Sequence, residues 1–435
     1  MTQVASDAAG GPGFARSPWA ARFPAMRAEN ISLPAGAGGA LSGGLVLVGL
    51  GASVATLVMP MIGEAFKWKH AIASFHVGAI TALTMSLGAL FFCMVFHLVN
   101  AGWSVTVRRQ FENVASLVWV GLALVTVSVM LSVWKGGEGL WSWMGMERGE
   151  NYLLDKKSAY LNTPFFLLRL AIYAVVWLML AGLMNFFSRK GDAEGGTEAA
   201  ARARLVSAPG MLAFALTVAF AGFDWLKSID FGFFSTMWGV YFFAGSAFVS
   251  VATVTMILAF LRRSGRLEGV VTVEHFHDLG KLMFAFCVFW AYIAFFQYFL
   301  IWYANIPEET AYYIHRKQGG WENLTTLLMI GHFVVPFLIL IQRGVKRNPT
   351  LLIAMAFWLI FMQVMDIFWM VRPAVYAGAP ADAVPGATAL PLDVLGILGP
   401  VALFFGLLIR KVVSSPLVPL HDPRMGEALT HKNYV

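Results

Sequence analysis

Runs of predominantly apolar residues alternate with short polar stretches along nearly the whole chain. Ten such runs lie near 41–62, 71–99, 113–134, 165–188, 208–228, 234–262, 277–303, 323–343, 350–371 and 393–413. A helix needs roughly 20 apolar residues to cross the hydrocarbon core of a bilayer. Each run therefore predicts one membrane-spanning helix, and the longer ones predict tilt or extension beyond the bilayer. The expected fold class is all-α integral membrane, with about ten transmembrane helices. The eight central helices suit two four-helix bundles, near 71–228 and 234–371, with the first and last helices flanking them.

Composition agrees with the pattern. The chain is 58% hydrophobic and only 13% charged, against about 25% charged in soluble proteins. The intervening loops fall on two sides. One side, with both chain termini, carries 19 Lys and Arg residues; the other carries 10. Positive loops stay in the cytoplasm, so both termini are expected there. Residues 1–40 form a Gly-, Ala- and Pro-rich extension with Arg16, Arg22 and Arg27. It lacks the pattern of a cleaved signal peptide, and the first span is expected to be kept. Residues 41–413 form the membrane domain and 414–435 a cytoplasmic tail. The net charge of +7 follows from the loop asymmetry and suits anionic lipid; it calls for no nucleic-acid partner.

The loops differ in character. Those on the basic side are short, with Arg108-Arg109, Arg262-Arg263 and Lys346-Arg347, and the mixed-charge stretch 189–207 reads as a mobile loop. On the other side, 136–164 carries Trp141, Trp143, Met144 and Met146 and reads as a segment lying on the membrane or under a partner. Residues 373–392 read as a plain loop.

Cys93 and Cys287 both lie inside predicted spans and give no disulfide framework. There is no CxxCH motif and no metal-spaced Cys/His cluster. A haem held between two helices needs histidines paired at matching depths, and His76, His97, His277 and His332 do not pair that way. The chain is expected to bind no metal or haem of its own. Metal centres, if needed, would sit on partners.

Two groups of polar residues stand out in the spans, where charge is costly. The seventh opens with Glu274, His277, Asp278 and Lys281; the first, third and fourth of these follow i, i+4, i+7, and the same stripe continues to Tyr292 and Tyr303. With His97 near the same membrane face, His277, Asp278, Lys281 and Tyr292 form a candidate inner proton path. The plain alternative is a set of interfacial charges that pair and snorkel. The second group is His76, Arg169, Asp224, His332 and Asp366, spread over other spans, with Thr217 and Gln363 nearby. It is a candidate outer proton path or quinone-proximal set. The alternative is structural pairing, such as Arg169 with Asp224. Pro336 lies four residues after His332 and cannot donate to its carbonyl.

Several segments resemble one family. GWSVTVRRQFEN (102–113), LDKKSAYLNTPFFLLR (154–169), FAGFDWLKSIDFGFFSTMWGVYFFAG (220–245) and VEHFHDLGKLMFAF through WYANIPEET (273–310) resemble the F subunit of bacterial alternative complex III. That subunit is an NrfD/polysulfide-reductase-type membrane subunit of a quinol:electron-acceptor oxidoreductase. The resemblance implies two four-helix bundles with flanking helices in a bacterial cytoplasmic (inner) membrane. It implies as partners a companion NrfD-like subunit, an iron–sulfur subunit, multihaem and monohaem c-type cytochromes and small membrane subunits, with haem c and iron–sulfur clusters on those partners. It implies quinol or menaquinol oxidation, with the quinol site usually in the companion subunit and this one a scaffold and proton pathway.

The expected function is thus a non-catalytic, proton-conducting membrane subunit of that complex. Two rivals remain. One is a quinone-binding subunit of the same complex, with Trp225, Trp238 and Tyr241 as walls and Asp224 accepting the quinol proton. The other is a stand-alone ion or solute transporter, for which paired broken helices would be the sign; Pro336 is the one clear mid-span breaker, and no matching partner is seen.

Overall fold

The computed structural model describes residues 17–62, 67–376 and 389–433. Among them there is no strand. Ten helices are long and apolar enough to cross a membrane: α1 (Gly39–Ile62), α2 (Trp68–Leu98), α3 (Gly102–Glu138), α4 (Thr163–Glu194), α5 (Gly196–Ile229), α6 (Trp238–Arg263), α7 (Val273–Ala304), α8 (Trp321–Leu340), α9 (Pro349–Val375) and α10 (Leu390–Val413). The chain is an all-α integral membrane protein, with one helix for each predicted run.

Helix ends follow polar caps rather than the limits of the apolar runs. Asn162 accepts from the Phe165 amide at the start of α4, and Asn348 accepts from the Thr350 and Leu351 amides at the start of α9. In both helices a proline sits in the first turn, where a missing N–H costs nothing.

The helices pack as two sets of four. α2 lies against α3 and α5, and α4 against α5; α6 lies against α7 and α9, and α8 fills between those two. The sets meet along α2–α6, α2–α9 and α5–α6, while α1 and α10 pair with each other and lean on α2. Between lipid-exposed helices burial gives little driving force, so close backbone approach and polar contacts decide the packing. A Cβ on Gly88 of α2 would lie 1.9 Å from the Ser246 carbonyl oxygen of α6. The buried stripe of α1 is Ser42, Gly49, Ser53 and Thr56. It lies on the small residues of α10, and Ser42 donates to the Gly406 carbonyl at 2.8 Å. Leu41, Leu47, Val48, Leu50, Val54 and Val58 of α1 face outward.

Three expectations change. Residues 189–207 are not a mobile loop: α4 runs to Glu194 and α5 starts at Gly196, with Gly195 at φ +108° as the whole junction. The alanine-rich sequence after it favours helix, and a left-handed turn needs glycine. Residues 105–115 are helical and buried rather than a basic surface loop. Arg108 meets Asp422 at 2.5 Å and Glu112 at 3.2 Å, and Arg109 meets Asp192 at 2.6 Å. The 136–164 segment tucks back into the first set of helices; Trp141 and Trp143 are buried, and the Trp141 indole donates to the Asp224 carbonyl at 3.1 Å. The expected loop at 373–392 falls partly outside the described residues.

The segments Ser17–Ile31 and 414–433 lie at the same end. Leu267 donates to the Asn30 carbonyl and Leu417 to the Ile31 carbonyl. The tail then crosses from Arg108 in the first set to α7 in the second, where His431 Nε2 lies 2.6 Å from Asp278. Burial alone would raise the Asp422 carboxyl, and the Arg108 guanidinium overrides it, holding the group below its usual 3.8. A lowered carboxylate stabilises the fold above its unfolded value, and that stability is lost as pH falls through the folded one. Asp422→Asn is therefore expected to speed hydrogen exchange in 415–433 at least about tenfold at neutral pH, because breaking a buried pair costs about 3–5 kcal/mol. The wild-type tail should loosen only below the ordinary aspartate range.

Candidate functional site

Three polar knots lie inside the helices at the end opposite the termini. The first is in the α2–α5 set. Arg169 of α4 grips Asp224 of α5 with two bonds, Nε to Oδ2 at 2.7 Å and Nη2 to Oδ1 at 2.9 Å, and donates to the Tyr160 carbonyl at 2.9 Å. Tyr173 donates to the same carboxylate at 2.6 Å. Seven residues before Asp224, Thr217 accepts from the Trp177 indole at 2.8 Å. His76 of α2 is close by. Its Nε2 lies 3.1 Å from the Trp225 carbonyl, which can only accept, so Nε2 carries a proton. Its Nδ1 faces the Ser128 hydroxyl at 2.8 Å. The charge in this knot is answered locally, as a structural pair requires, although the buried Tyr160 hydroxyl has no hydrogen-bond partner among the described residues.

The second knot is in the α6–α9 set and is built differently. Asp366 of α9 has no exposed surface. Tyr241 of α6 donates to its Oδ1 at 2.5 Å and the Trp290 indole of α7 to its Oδ2 at 3.1 Å. Both donors are neutral. Among the described residues no cation pairs with it. The Trp290 ring lies 4.0 Å from the His332 ring, centroid to centroid, and Phe248 stacks on the imidazole at 5.3 Å. His332 is fully buried, and neither of its ring nitrogens has a hydrogen-bond partner among the described residues; nor does the side-chain amide oxygen of Gln363, one turn before Asp366.

Local chain geometry sets His332 in place. α8 is π-helical over Leu328–Val334, just before Pro336. Such a bulge and a proline both free backbone carbonyls. The Gly331 carbonyl takes the Trp358 indole at 2.7 Å, and the His332 carbonyl faces the Cys287 thiol at 3.6 Å. The carbonyl that Pro336 leaves free is thus met by a side chain of α7. Beside this knot a cavity of about 760 Å³ opens between α7 and α8. Trp238, Tyr241 and Trp290 form its deep wall, and Tyr292, Phe295 and Met329 its outer rim.

The third knot was not legible from the sequence. Arg372 of α9 and His70 of α2 meet Asp393 of α10, with Ser74 donating to that carboxylate at 2.6 Å. Burial pushes the Tyr376 phenol up to about 12, so it donates to His70 Nδ1, 2.7 Å away. Arg372 and Asp393 stand at the edges of apolar runs, where they read as loop and interface charges. Arg316 hid the same way: it is buried and donates to the Tyr312, Trp369 and Met370 carbonyls.

The inner group does not form one constellation. Asp278 receives Lys281 at 2.5 Å and His431 at 2.6 Å, and Arg347 meets Glu274 at 2.6 Å. His277 is buried beside them, with Nδ1 unpartnered. His97, at the end of α2, instead borders Arg108 and Asp422. The predicted stripe on α7 is real in register, but its far part faces outward: Tyr292 is 53% exposed and Tyr303 77%. Tyr292 does not continue Asp278 into the interior; it rims the α7–α8 cavity. The outer group likewise splits, with His76, Arg169 and Asp224 in one set of helices and His332 and Asp366 in the other.

Among the described residues, no three His, Cys, Asp or Glu side chains gather as a metal site would require. No protein-family model matches the chain, and no curated protein matches it.

The contrast between the two acids can be measured. Arg169→Met should destabilise the protein by about 3–5 kcal/mol, since it strands a buried carboxylate. Arg169→Met with Asp224→Leu should recover most of that loss in detergent melts. Recovery would mark the first knot as a structural pair; no recovery would give Asp224 a further role.

Proposed function

We propose that this chain is a membrane subunit of a quinol-oxidising complex of the alternative complex III type, acting as scaffold and proton-conducting subunit without a metal centre of its own. The four segments that resemble the F subunit of that complex support the complex. Three of them carry knot residues: 154–169 holds Tyr160 and Arg169, 220–245 holds Asp224 and Tyr241, and 273–310 holds Trp290. The proposal places the protein in a bacterial cytoplasmic membrane with both termini inside. Iron–sulfur and c-type haem centres would be on partner subunits.

The observation that carries the proton-conducting part is Asp366. A structural carboxylate inside a membrane protein is answered by a cation, as Asp224 is. Asp366 is held by two neutral donors and adjoins a histidine whose nitrogens are both unspoken for. Such groups are expensive to keep in a membrane interior without a task. Asp366 at the N–H edge of Trp290 and His332 against its ring are an acid and an imidazole side by side, the residue types that serve proton transfer. In this reading the outer path runs through Asp366 and His332. His76, Arg169 and Asp224 hold the other set of helices together. On the inner side, Asp278, Lys281 and His277 at the start of α7 form the entry.

The α7–α8 cavity favours one alternative, a quinone-binding subunit of the same complex. Its deep wall includes the two side chains that hold Asp366, so Asp366 rather than Asp224 would take the quinol proton.

The first test is purification of the chain in mild detergent with whatever accompanies it. Co-purified c-type haem is expected; a colourless single chain that transports an ion would replace the proposal with a transporter. In the assembled complex, Asp366→Asn should lower proton uptake per electron at least about tenfold while quinol oxidation elsewhere continues. Unchanged proton uptake would reduce the chain to a scaffold. Loss of quinone from the extract would support the alternative.

A further inference from the structure

A second cavity lies at the other end, where the termini gather. It holds about 600 Å³ between the α2–α3 turn, the first turns of α5 and the tail. Its lining divides by chemistry. Arg108, Arg204 and Arg424 contribute guanidinium groups, with Asp422 the acid among them. Phe96, Leu98, Leu205 and Ala208 contribute an apolar wall.

The charge does not balance. Arg108 is spoken for by Asp422 and Glu112. Arg204 makes no ion pair or side-chain hydrogen bond among the described residues, whereas Arg202, half a turn earlier, is paired with Glu198 at 2.5 Å. Arg424 donates from one nitrogen to the Asn100 carbonyl and has no acid partner among the described residues. Two guanidinium groups therefore stand at the cavity without an anion. The first turn of α5 adds to this: Thr197 lines the cavity, and no side chain caps that helix. Free amides at a helix start favour a phosphate, and guanidinium forks match phosphate oxygens in pairs.

Position in the bilayer decides what kind of phosphate. About 20 residues span the hydrocarbon, and counting back along α5 from Lys227 puts the boundary near Ser207. Arg204 then sits in the headgroup layer. Directly below it, Leu205, Leu212 and Leu216 share one stripe of the helix at i, i+7 and i+11 and are 75%, 71% and 63% exposed. A free phosphate has no use for an apolar wall that continues into the membrane. An acyl chain does.

We propose that this cavity is a binding site for one anionic phospholipid, its phosphate ester held by Arg204 and Arg424 and an acyl chain laid along Leu205, Leu212 and Leu216. The site adjoins the Arg108–Asp422 contact that fixes the tail. A bound headgroup would close the gap between α5 and the tail, next to His97.

The test uses the purified protein in nanodiscs, with its companion subunits where they co-purify. The discs contain phosphatidylcholine alone or with phosphatidylglycerol, and retained lipid is counted by native mass spectrometry. One phosphatidylglycerol per chain is expected to survive delipidation, with phosphatidylcholine lost. R204Q with R424Q should reduce that retention at least about tenfold, the loss of one charge-assisted contact being enough for a factor of ten. Arg204 is exposed, so R204Q alone should lower retention with melting unchanged; Arg424 is half-buried and also holds the Asn100 carbonyl, so the double variant is melted beside the retention assay, and Leu212→Asn should weaken retention without touching the arginines. Equal retention of the two lipids, or full retention by the double variant, would overturn the site. Displacement by inorganic phosphate would overturn the lipid in favour of a soluble phosphate ligand. An unlipidated chain whose cavity is occupied by a partner's acidic segment would overturn it as well.

Discussion

What surrounds α2 governs much of this molecule. The helix is enclosed by α1, α3, α5, α6, α9 and α10, yet it carries three histidines and a series of serines and threonines in its length. A polar group buried away from water must find its partner inside the protein. Each of these partners belongs to a different helix or returns to the α2 backbone. His70 reaches Asp393 and Tyr376, His76 reaches Ser128 and the Trp225 carbonyl, and Ser86 reaches the Val114 carbonyl at 3.0 Å. In a lipid solvent, apolar surface cannot tell a neighbouring helix from an acyl chain. The polar contacts of α2 can, and they set the depth of its neighbours.

The two buried acids show how the same residue type serves different ends. Asp224 lies in the fourth helix of the first set and Asp366 in the fourth helix of the second. Both sit toward the end opposite the termini. One is clamped by a guanidinium and a phenol; the other is held by a phenol and an indole. The clamp sets a full positive charge against Asp224, while Asp366 meets only neutral donors among the described residues.

The ten spans were legible because twenty apolar residues in a row leave few alternatives. The candidate residues were legible as individuals, because an ionisable group in such a run is conspicuous. Their grouping was not. Asp366 and Asp224 look alike in the sequence, and only the approach of α4 to one and α6 to the other separates them. Helical periodicity placed Tyr292 correctly on the stripe of Asp278 and Lys281, but periodicity does not say which way a stripe faces; here Asp278 is buried and the part beyond it faces outward. Arg109, Arg316 and Arg372 were read as loop charges since they flank apolar runs. Their burial depends on partners 83, 53 and 21 residues away, the Asp192 carboxylate, the Trp369 carbonyl and the Asp393 carboxylate. The helical junction at Gly195 was missed because mixed charge and glycine resemble a loop, although the alanines around them favour helix.

The tail that joins Arg108 to Asp278 is the last part of the described chain to be made. When it leaves the ribosome, all ten helices already precede it. Insertion into the membrane and closure of the face that carries the termini are therefore separate events. In the interval between them, the Asp278 and Arg108 sides of that face have only their local partners, and the two sets of helices are joined by direct helix contacts such as α2–α6, α3–α6 and α5–α6. The contact across the tail is thus a latch set after assembly of the membrane part, and it can report whether that part has been correctly built.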